Sequence, residues 1–181
     1  AGGNLVLSST GTITSVDLSA LATGVVTTGA NILVLPLATS VKVGSLPSSV
    51  TLAIATTVEA HGVGALGHMS MSAPKATAVT IKAGSITGQV TVSANLAAIA
   101  MSAKSAAGST TLHGTSVALD AMTTNTALLT VSATTLSAAA LKTAGASITF
   151  VGITTAALPS IESLTGSFTG ASVTAFTAPK L

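Results

Sequence analysis

Glu59, His61 and His68 lie close together in the sequence, and a third histidine follows at His113. Imidazole and carboxylate groups are zinc ligands. If the segment is a strand, Glu59 and His61 share one face through their i, i+2 spacing. A zinc site requires three or four ligands brought together, and the sequence supplies no fourth ligand to this group. We therefore predict no metal site, and expect the histidines at turns or at outward strand positions.

Residues 62–67, Gly-Val-Gly-Ala-Leu-Gly, match the G-x-G-x-x-G pattern of a dinucleotide loop. That loop must open a helix and be followed by an acidic residue about twenty positions later. Here the alternating Met69-Ser70-Met71 and then Pro74 follow, and the next carboxylate is Asp120. The pattern therefore predicts a glycine-rich turn. With no G-x-S-x-G elbow and only two aspartates to orient a histidine, we predict no catalytic residue, no cofactor and no enzymatic activity.

The charged residues are more informative through their spacing than through their chemistry. When Lys75 is set aside, the other nine follow one another at nearly even intervals along the chain. Such even spacing indicates a repeat of about twenty residues. The nine are Asp17, Lys42, Glu59, Lys82, Lys104, Asp120, Lys142, Glu162 and Lys180.

Apolar or small residues flank most of these charges, as in Val16-Asp17-Leu18 and Val41-Lys42-Val43. On a strand, alternate side chains face opposite ways, so each charge points to water while its neighbours point inward. Stacked at one strand spacing, the nine charges are predicted to form a ladder in which neighbours have opposite signs in seven of eight steps. We expect this ladder to fix register and to guide assembly.

A second set of polar residues, each beside apolar ones, keeps nearly the same interval. Two sets in step predict coils with at least two strands, one carrying a charge outward and the other a hydroxyl. The hydroxyl column is predicted to contain Thr51, Ser70, Thr91, Thr111, Thr130, Thr149 and Thr169. Its inward neighbours, expected to stack as a core column, are Leu52, Met71, Val92, Leu112, Val131 and Phe150.

These patterns predict an all-β fold, a parallel β-solenoid with coils of about twenty residues. We expect one domain over residues 1–181, with 1–40 the least regular part. Aromatic residues make up 2% and charged residues 6% of the chain, so small and β-branched side chains must build the core. The period still runs at Lys180 and neither end has a long amphipathic helix, which predicts uncapped ends.

Composition also bears on partners and location. The lysines are isolated from one another and there is no arginine, tryptophan or tyrosine, which argues against nucleic-acid binding. No apolar run reaches the roughly 18 residues of a spanning helix, so membrane insertion is not expected. Low charge, abundant hydroxyls and the absence of cysteine favour an extracellular or cell-surface location.

Over about residues 40–180 the chain resembles, in architecture, the β-solenoid and β-helix repeats of bacterial surface fibres and adhesins. The resemblance implies a structural role, in which the chain stacks end to end with copies of itself or forms a segment of a longer surface repeat protein. A second copy's Asp17 would follow Lys180 at nearly the interval of the repeat and with opposite sign, continuing the ladder. The alternative function is binding of ice or another crystalline surface by the Thr/Ser column.

Overall fold

A computed structural model describes residues 15–18, 32–34, 40–43, 49–62, 64–170 and 172–181. This part of the chain consists of strands, turns and bends, with no helix. Accordingly, none of the described segments is a helix of the length and apolar character needed to cross a bilayer.

The strands are short, and none in the described ranges is longer than β5, β8 or β11. In chain order they are β1 (Ser15–Leu18), β2 (Ile32–Val34), β3 (Ser40–Val43), β4 (Ser49–Thr51), β5 (Thr57–His61), β6 (Ala65–Leu66), β7 (Met69–Ser72), β8 (Ala78–Lys82), β9 (Ser85–Ile86), β10 (Val90–Ser93), β11 (Ala98–Ser102), β12 (Ser105–Ala106), β13 (Thr110–His113), β14 (Ser116–Ala118), β15 (Thr124–Asn125), β16 (Leu129–Ser132), β17 (Thr135–Ser137), β18 (Thr143–Ala144), β19 (Ile148–Val151), β20 (Thr155–Ala157), β21 (Ser163–Leu164), β22 (Phe168–Gly170) and β23 (Ala175–Thr177).

The strands form three parallel sheets, and from β5 onward each coil passes through all three. Sheet A has the order β1-β3-β5-β8-β11-β14-β17-β20-β23, and sheet B the order β2-β4-β7-β10-β13-β16-β19-β22. Sheet C, between them in each coil, has the order β6-β9-β12-β15-β18-β21. In sheet A the partners Val58, Val79 and Ile99 mark successive coils, and the same interval continues with small variations to Phe176. The predicted all-β parallel solenoid with coils of about twenty residues is confirmed, and it has three sides.

The core lies inside this three-sided tube and is built from stacked columns of like residues. In sheet A one inward column includes Val41, Val58 and Val79, each at most 1% exposed. Such columns suit the composition, because a coil one strand spacing high has room for small and β-branched side chains. The predicted core column of sheet B is continuous from Met71 to Phe150. Leu52 is buried too, but Val50 occupies the position opposite Met71.

Threonine hydroxyls secure several corners between the sheets. Thr77 Oγ1 donates to the carbonyl of Thr56 (3.2 Å), and Thr154 Oγ1 donates to that of Thr134 (3.2 Å). Thr123 Oγ1 likewise donates to the Lys104 carbonyl (3.0 Å). In each pair the acceptor lies one coil earlier, and both residues stand just before a strand begins. The same carbonyl also accepts the backbone N–H of the threonine, so the hydroxyl adds a second hydrogen bond between the coils. This use of hydroxyls accounts for part of the high threonine content.

One corner, where sheet C leads into sheet B, is a stack of glycines. A Cβ built on Gly88 would overlap the backbone carbonyl of Gly67, and one on Gly108 would overlap that of Gly88. A Cβ on Gly67 itself meets nothing within 4 Å. The backbones of these coils therefore approach too closely at Gly88 and Gly108 for any other residue.

We predict that Gly88→Ala destabilises the protein by at least about 2 kcal/mol, because its Cβ would force neighbouring coils apart. Gly67→Ala, the matched change one coil earlier in the same corner, should alter the free energy of unfolding by less than about 0.5 kcal/mol. Urea unfolding followed by circular dichroism measures both. Equal effects of the two substitutions would contradict the proposed close approach.

Candidate functional site

The first three charges of the predicted ladder occupy one column of sheet A. Asp17 of β1 pairs with Lys42 of β3, and Lys42 pairs with Glu59 of β5. Neighbouring strands lie about 4.8 Å apart, so opposite charges alternate along these three positions. The alternation favours this register over one slipped by a residue or two.

The column does not continue as predicted beyond Glu59. The position opposite Glu59 belongs to Thr80, and Lys82 lies two residues further along, opposite His61. Ala100 and Ala118 then follow Thr80 in the same column.

The remaining charges fall into other places. Lys104, Lys142 and Glu162 stack with Thr123 at the corner between sheets A and C. Backbone hydrogen bonds of 2.9 Å join Lys104 to Thr123, Thr123 to Lys142 and Lys142 to Glu162. Asp120 follows β14, where its Oδ1 accepts from Ser137 Oγ (2.7 Å) and from the backbone N–H of Ala139 (3.1 Å).

Lys180 lies in the turn after β23. The nine charges therefore do not form a single ladder. Coil length varies, so an average period of about twenty positions does not fix a place within the coil. The role of the nine in assembly stays a prediction.

The predicted hydroxyl column is continuous in sheet B for six of its seven members, from Ser70 to Thr169. Thr51 is the exception, because Ser49 pairs with Ser70 while Thr51 pairs with Ser72. Thr51 thus lies in a second outward column two residues along, which continues through Ser72, Ser93, His113, Ser132 and Val151. Sheet B presents two parallel rows of mainly hydroxyl-bearing side chains.

The three histidines lie on different parts of the solenoid. His61 ends β5, with its Nε2 3.9 Å from Glu59 Oε2. His68 is exposed in the corner before β7, and His113 is partly buried in the second hydroxyl column. Nowhere in the described ranges do three histidine or carboxylate side chains approach closely enough to hold a metal ion.

The described residues of the glycine-rich segment, 62 and 64–67, lie between sheet A and sheet B and include β6 of sheet C. Gly62 follows β5, and Ala65 and Leu66 form β6. The segment leads into a strand, so it lacks the helix N-terminus on which a dinucleotide loop depends.

Sheet A carries a shallow depression of about 400 Å³ that includes one cation and one carboxylate. Small side chains form much of its surface, and Asp120 already accepts two hydrogen bonds. The arrangement offers a charged rim without a nucleophile–base pair. Its lining residues are Thr80, Lys82, Ala100, Met101, Ser102, Ala118, Asp120 and Ala121.

Asn125 is a polar residue in the core that the sequence patterns did not reveal. It is fully buried in the inward column of sheet C, between Ala106 and Ala144. Its Nδ2 donates to the carbonyl of Ala127 (2.6 Å), while its Oδ1 has no hydrogen-bond partner. An unsatisfied buried oxygen costs free energy. The signal available in the sequence was an Asn, within Thr124-Asn125-Thr126, at the position that Ala106 and Ala144 hold in the neighbouring coils.

The three phenylalanines of the chain gather in its last coils, which the sequence patterns also did not reveal. The Phe150 and Phe168 ring centroids are 5.8 Å apart, and those of Phe168 and Phe176 are 4.9 Å apart in an edge-to-face arrangement. Phe176 remains 43% exposed. Gly170 lies opposite Phe150, and a Cβ there would come within 2.8 Å of Phe150 Cβ. The end of the solenoid is thus aromatic and partly open.

Comparison with known proteins finds no matching family model, no similar curated protein and no similar solved structure. The proposed function therefore depends on the geometry of the solenoid.

We predict that Lys42→Glu lowers the free energy of unfolding by about 1 kcal/mol, because it places three negative charges at successive positions of one column. The control is Lys75→Glu, at an exposed turn position, for which a change below about 0.5 kcal/mol is expected. Denaturant unfolding at low and high salt tests this, and added salt should narrow the difference. A salt-independent loss would contradict the electrostatic explanation.

We also predict a pH-dependent defect for Asn125→Asp. Burial raises the pKa of the introduced carboxyl above its unfolded value of about 3.9. The variant therefore keeps its stability below about pH 4 and loses it progressively as pH rises from there toward the raised pKa, by about 3 kcal/mol or more in total. Asn95→Asp, the same change at an exposed turn, should give no such slope in unfolding experiments from pH 4 to pH 8.

Proposed function

We propose that this chain is a structural protein of the cell surface or extracellular space. It stacks end to end into a filament with copies of itself, or serves as a segment of a surface repeat protein. The observation that carries the proposal is the coil of β21–β23, in which the edges of three sheets and an apolar interior suit a further coil, whether that coil belongs to another copy or to the same protein.

β21, β22 and β23 are the terminal strands of sheets C, B and A. A terminal strand presents unpaired backbone donors and acceptors along one side, and this side is a template for another strand. Three such sides around one tube form a surface that a further coil of the same shape would complete.

The interior of the last coil supports the same conclusion. Ala156 is 1% exposed, whereas Phe176, its partner one coil later, is 43% exposed. Ile161 is fully buried, whereas Leu181, one coil later, is 54% exposed. Covering a large apolar side chain contributes about 1.5–3 kcal/mol, so stacking a further coil here is favourable.

The surface location is proposed from composition and architecture. The chain has few charges, abundant hydroxyl groups and no cysteine. A parallel solenoid with this composition resembles the repeats of bacterial surface fibres and adhesins. Its length grows by adding coils without any change in the core.

We predict that the purified chain forms filaments or end-to-end oligomers at neutral pH, visible by negative-stain microscopy and as a concentration-dependent mass in sedimentation. Phe176→Lys should reduce this assembly about tenfold or more, because a charge would have to be buried at the joint. Leu96→Lys is the control, since Leu96 is 55% exposed at a corner in the middle of the solenoid.

Circular dichroism confirms that each variant is folded before assembly is measured. Particles that remain monomeric at all concentrations would contradict the proposal. So would equal losses of assembly in Phe176→Lys and Leu96→Lys.

A second candidate function is binding of ice or another crystalline surface by sheet B. The observation that favours it is the pair of outward columns, which repeat at about 4.8 Å along the axis. In the first column Thr91, Thr111, Thr130 and Thr149 are directly paired, strand after strand. Regular hydroxyls on a rigid sheet match a periodic surface better than scattered ones do.

This candidate predicts thermal hysteresis and inhibition of ice recrystallisation by the wild-type chain. Thr111→Lys should abolish both activities, because it interrupts the middle of the column. Thr135→Lys, on the outward face of sheet A, should leave them unchanged. Absence of either activity in the folded wild-type chain would exclude ice as the surface.

A further inference from the structure

We propose a specific register for the joint between two copies, an inference that rests on the proposed end-to-end assembly. Strand β1 of the second copy adds in parallel to β23, with Val16 opposite Phe176 and Asp17 opposite Thr177. The joint thereby continues sheet A through a backbone ladder.

The free edge of β23 is defined by its hydrogen bonds. The Ala175 N–H donates to the Thr154 carbonyl (2.9 Å), and the Leu158 N–H donates to the Thr177 carbonyl (2.8 Å). Backbone groups of alternate residues in a parallel strand point to opposite neighbours. Phe176 therefore directs its N–H and C=O away from β20, to the side that a second copy approaches.

The strand that fits this edge must place apolar residues inward and polar ones outward. The sequence of β1 alternates in the same way, and its register places Val16 opposite buried Val41 and Asp17 opposite Lys42. The described part of the chain pairs β1 with β3 on one side. Among the described strands, β1 and β23 are thus the first and the last of sheet A.

Two requirements select one register among those the edge allows. Inward residues must meet inward residues, and the inward columns must continue from one copy into the next. A slip of one residue would turn Asp17 into the core beside Phe176, at a large cost. Without a slip, each inward column of one copy runs straight into the same column of the next. Leu18 then lies opposite Ala178, so a large residue meets a small one, and Val16 lies opposite Phe176.

This proposed register differs from the joint expected from the charge spacing. Lys180 lies three residues beyond Thr177, in the turn, whereas Asp17 lies within a strand. The two are not opposite one another. The joint depends on backbone pairing and the apolar columns, and Lys180 does not define its register.

The test uses disulfide cross-linking, which is clean because the chain has no cysteine of its own. One copy carries Asp17→Cys and the other Thr177→Cys, and the two are mixed under mild oxidation. Directly opposite strand residues lie within the Cα separation of about 4.4–6.8 Å that a disulfide requires. In one copy β1 and β23 are separated by eight strand spacings, about 38 Å, so only a joint between copies can bring the thiols together.

We expect the Asp17→Cys and Thr177→Cys mixture to give cross-linked dimers about tenfold faster than a mixture of Asp17→Cys and Lys180→Cys, which cannot meet the disulfide geometry. Assembly with equal rates in the two mixtures, or assembly without the first cross-link, would overturn this register while leaving the proposed function in place. Absence of both assembly and cross-links in mixtures of folded chains would overturn the register and the proposed function together.

Discussion

The parallel backbone ladder, repeated on three sides, is the constraint on which the rest of this structure depends. It holds each coil one strand spacing from the next, and so it sets the height available to every inward side chain. Valine, isoleucine, leucine and alanine fill that height as columns of like residues. The scarcity of aromatic residues follows from the same limit, because each coil is thin.

The coils differ in length, and the differences fall in the corners between the sheets, so the ladder stays regular. Threonine hydroxyls bond to carbonyls of the preceding coil, as Thr174 does with Thr154 (3.1 Å). Glycines stand where backbones come too close for a side chain, as at Gly88. Gly152 adopts a φ of +69°, a left-handed conformation that favours glycine. Length variation is absorbed in these turns, so the strands keep their register while the residues between them differ.

The fold could be predicted from sequence because its main signal is local alternation, repeated many times. Flanking apolar residues placed Val16-Asp17-Leu18 on a strand without knowledge of its neighbours. Positions within a coil were harder to predict. Thr51 and Lys82 each stand two residues from the column that spacing assigned to them. The length of an individual coil differs from the average period, so the average does not give the position of a residue within its own coil.

Single exceptions to the pattern could not be predicted from it. Asn125 sits in an inward column because its neighbours Ala106 and Ala144 are small enough to admit it, and no periodicity reveals that. The three phenylalanines are distant from one another in sequence order, and only the winding of the chain brings their rings together. Sequence spacing described the repeat, and the departures from it became visible only with the register of the sheets.

The stacking of coils also has a mechanical consequence. Each coil contacts chiefly the one before and the one after it, so a force applied along the axis would peel the chain from an end, one turn at a time. The aromatic rings of the last coils pack against one another across two turns, linking Phe150 to Phe168 and Phe176. Separating these coils would require breaking ring contacts that the aliphatic coils lack, so they should resist peeling more strongly.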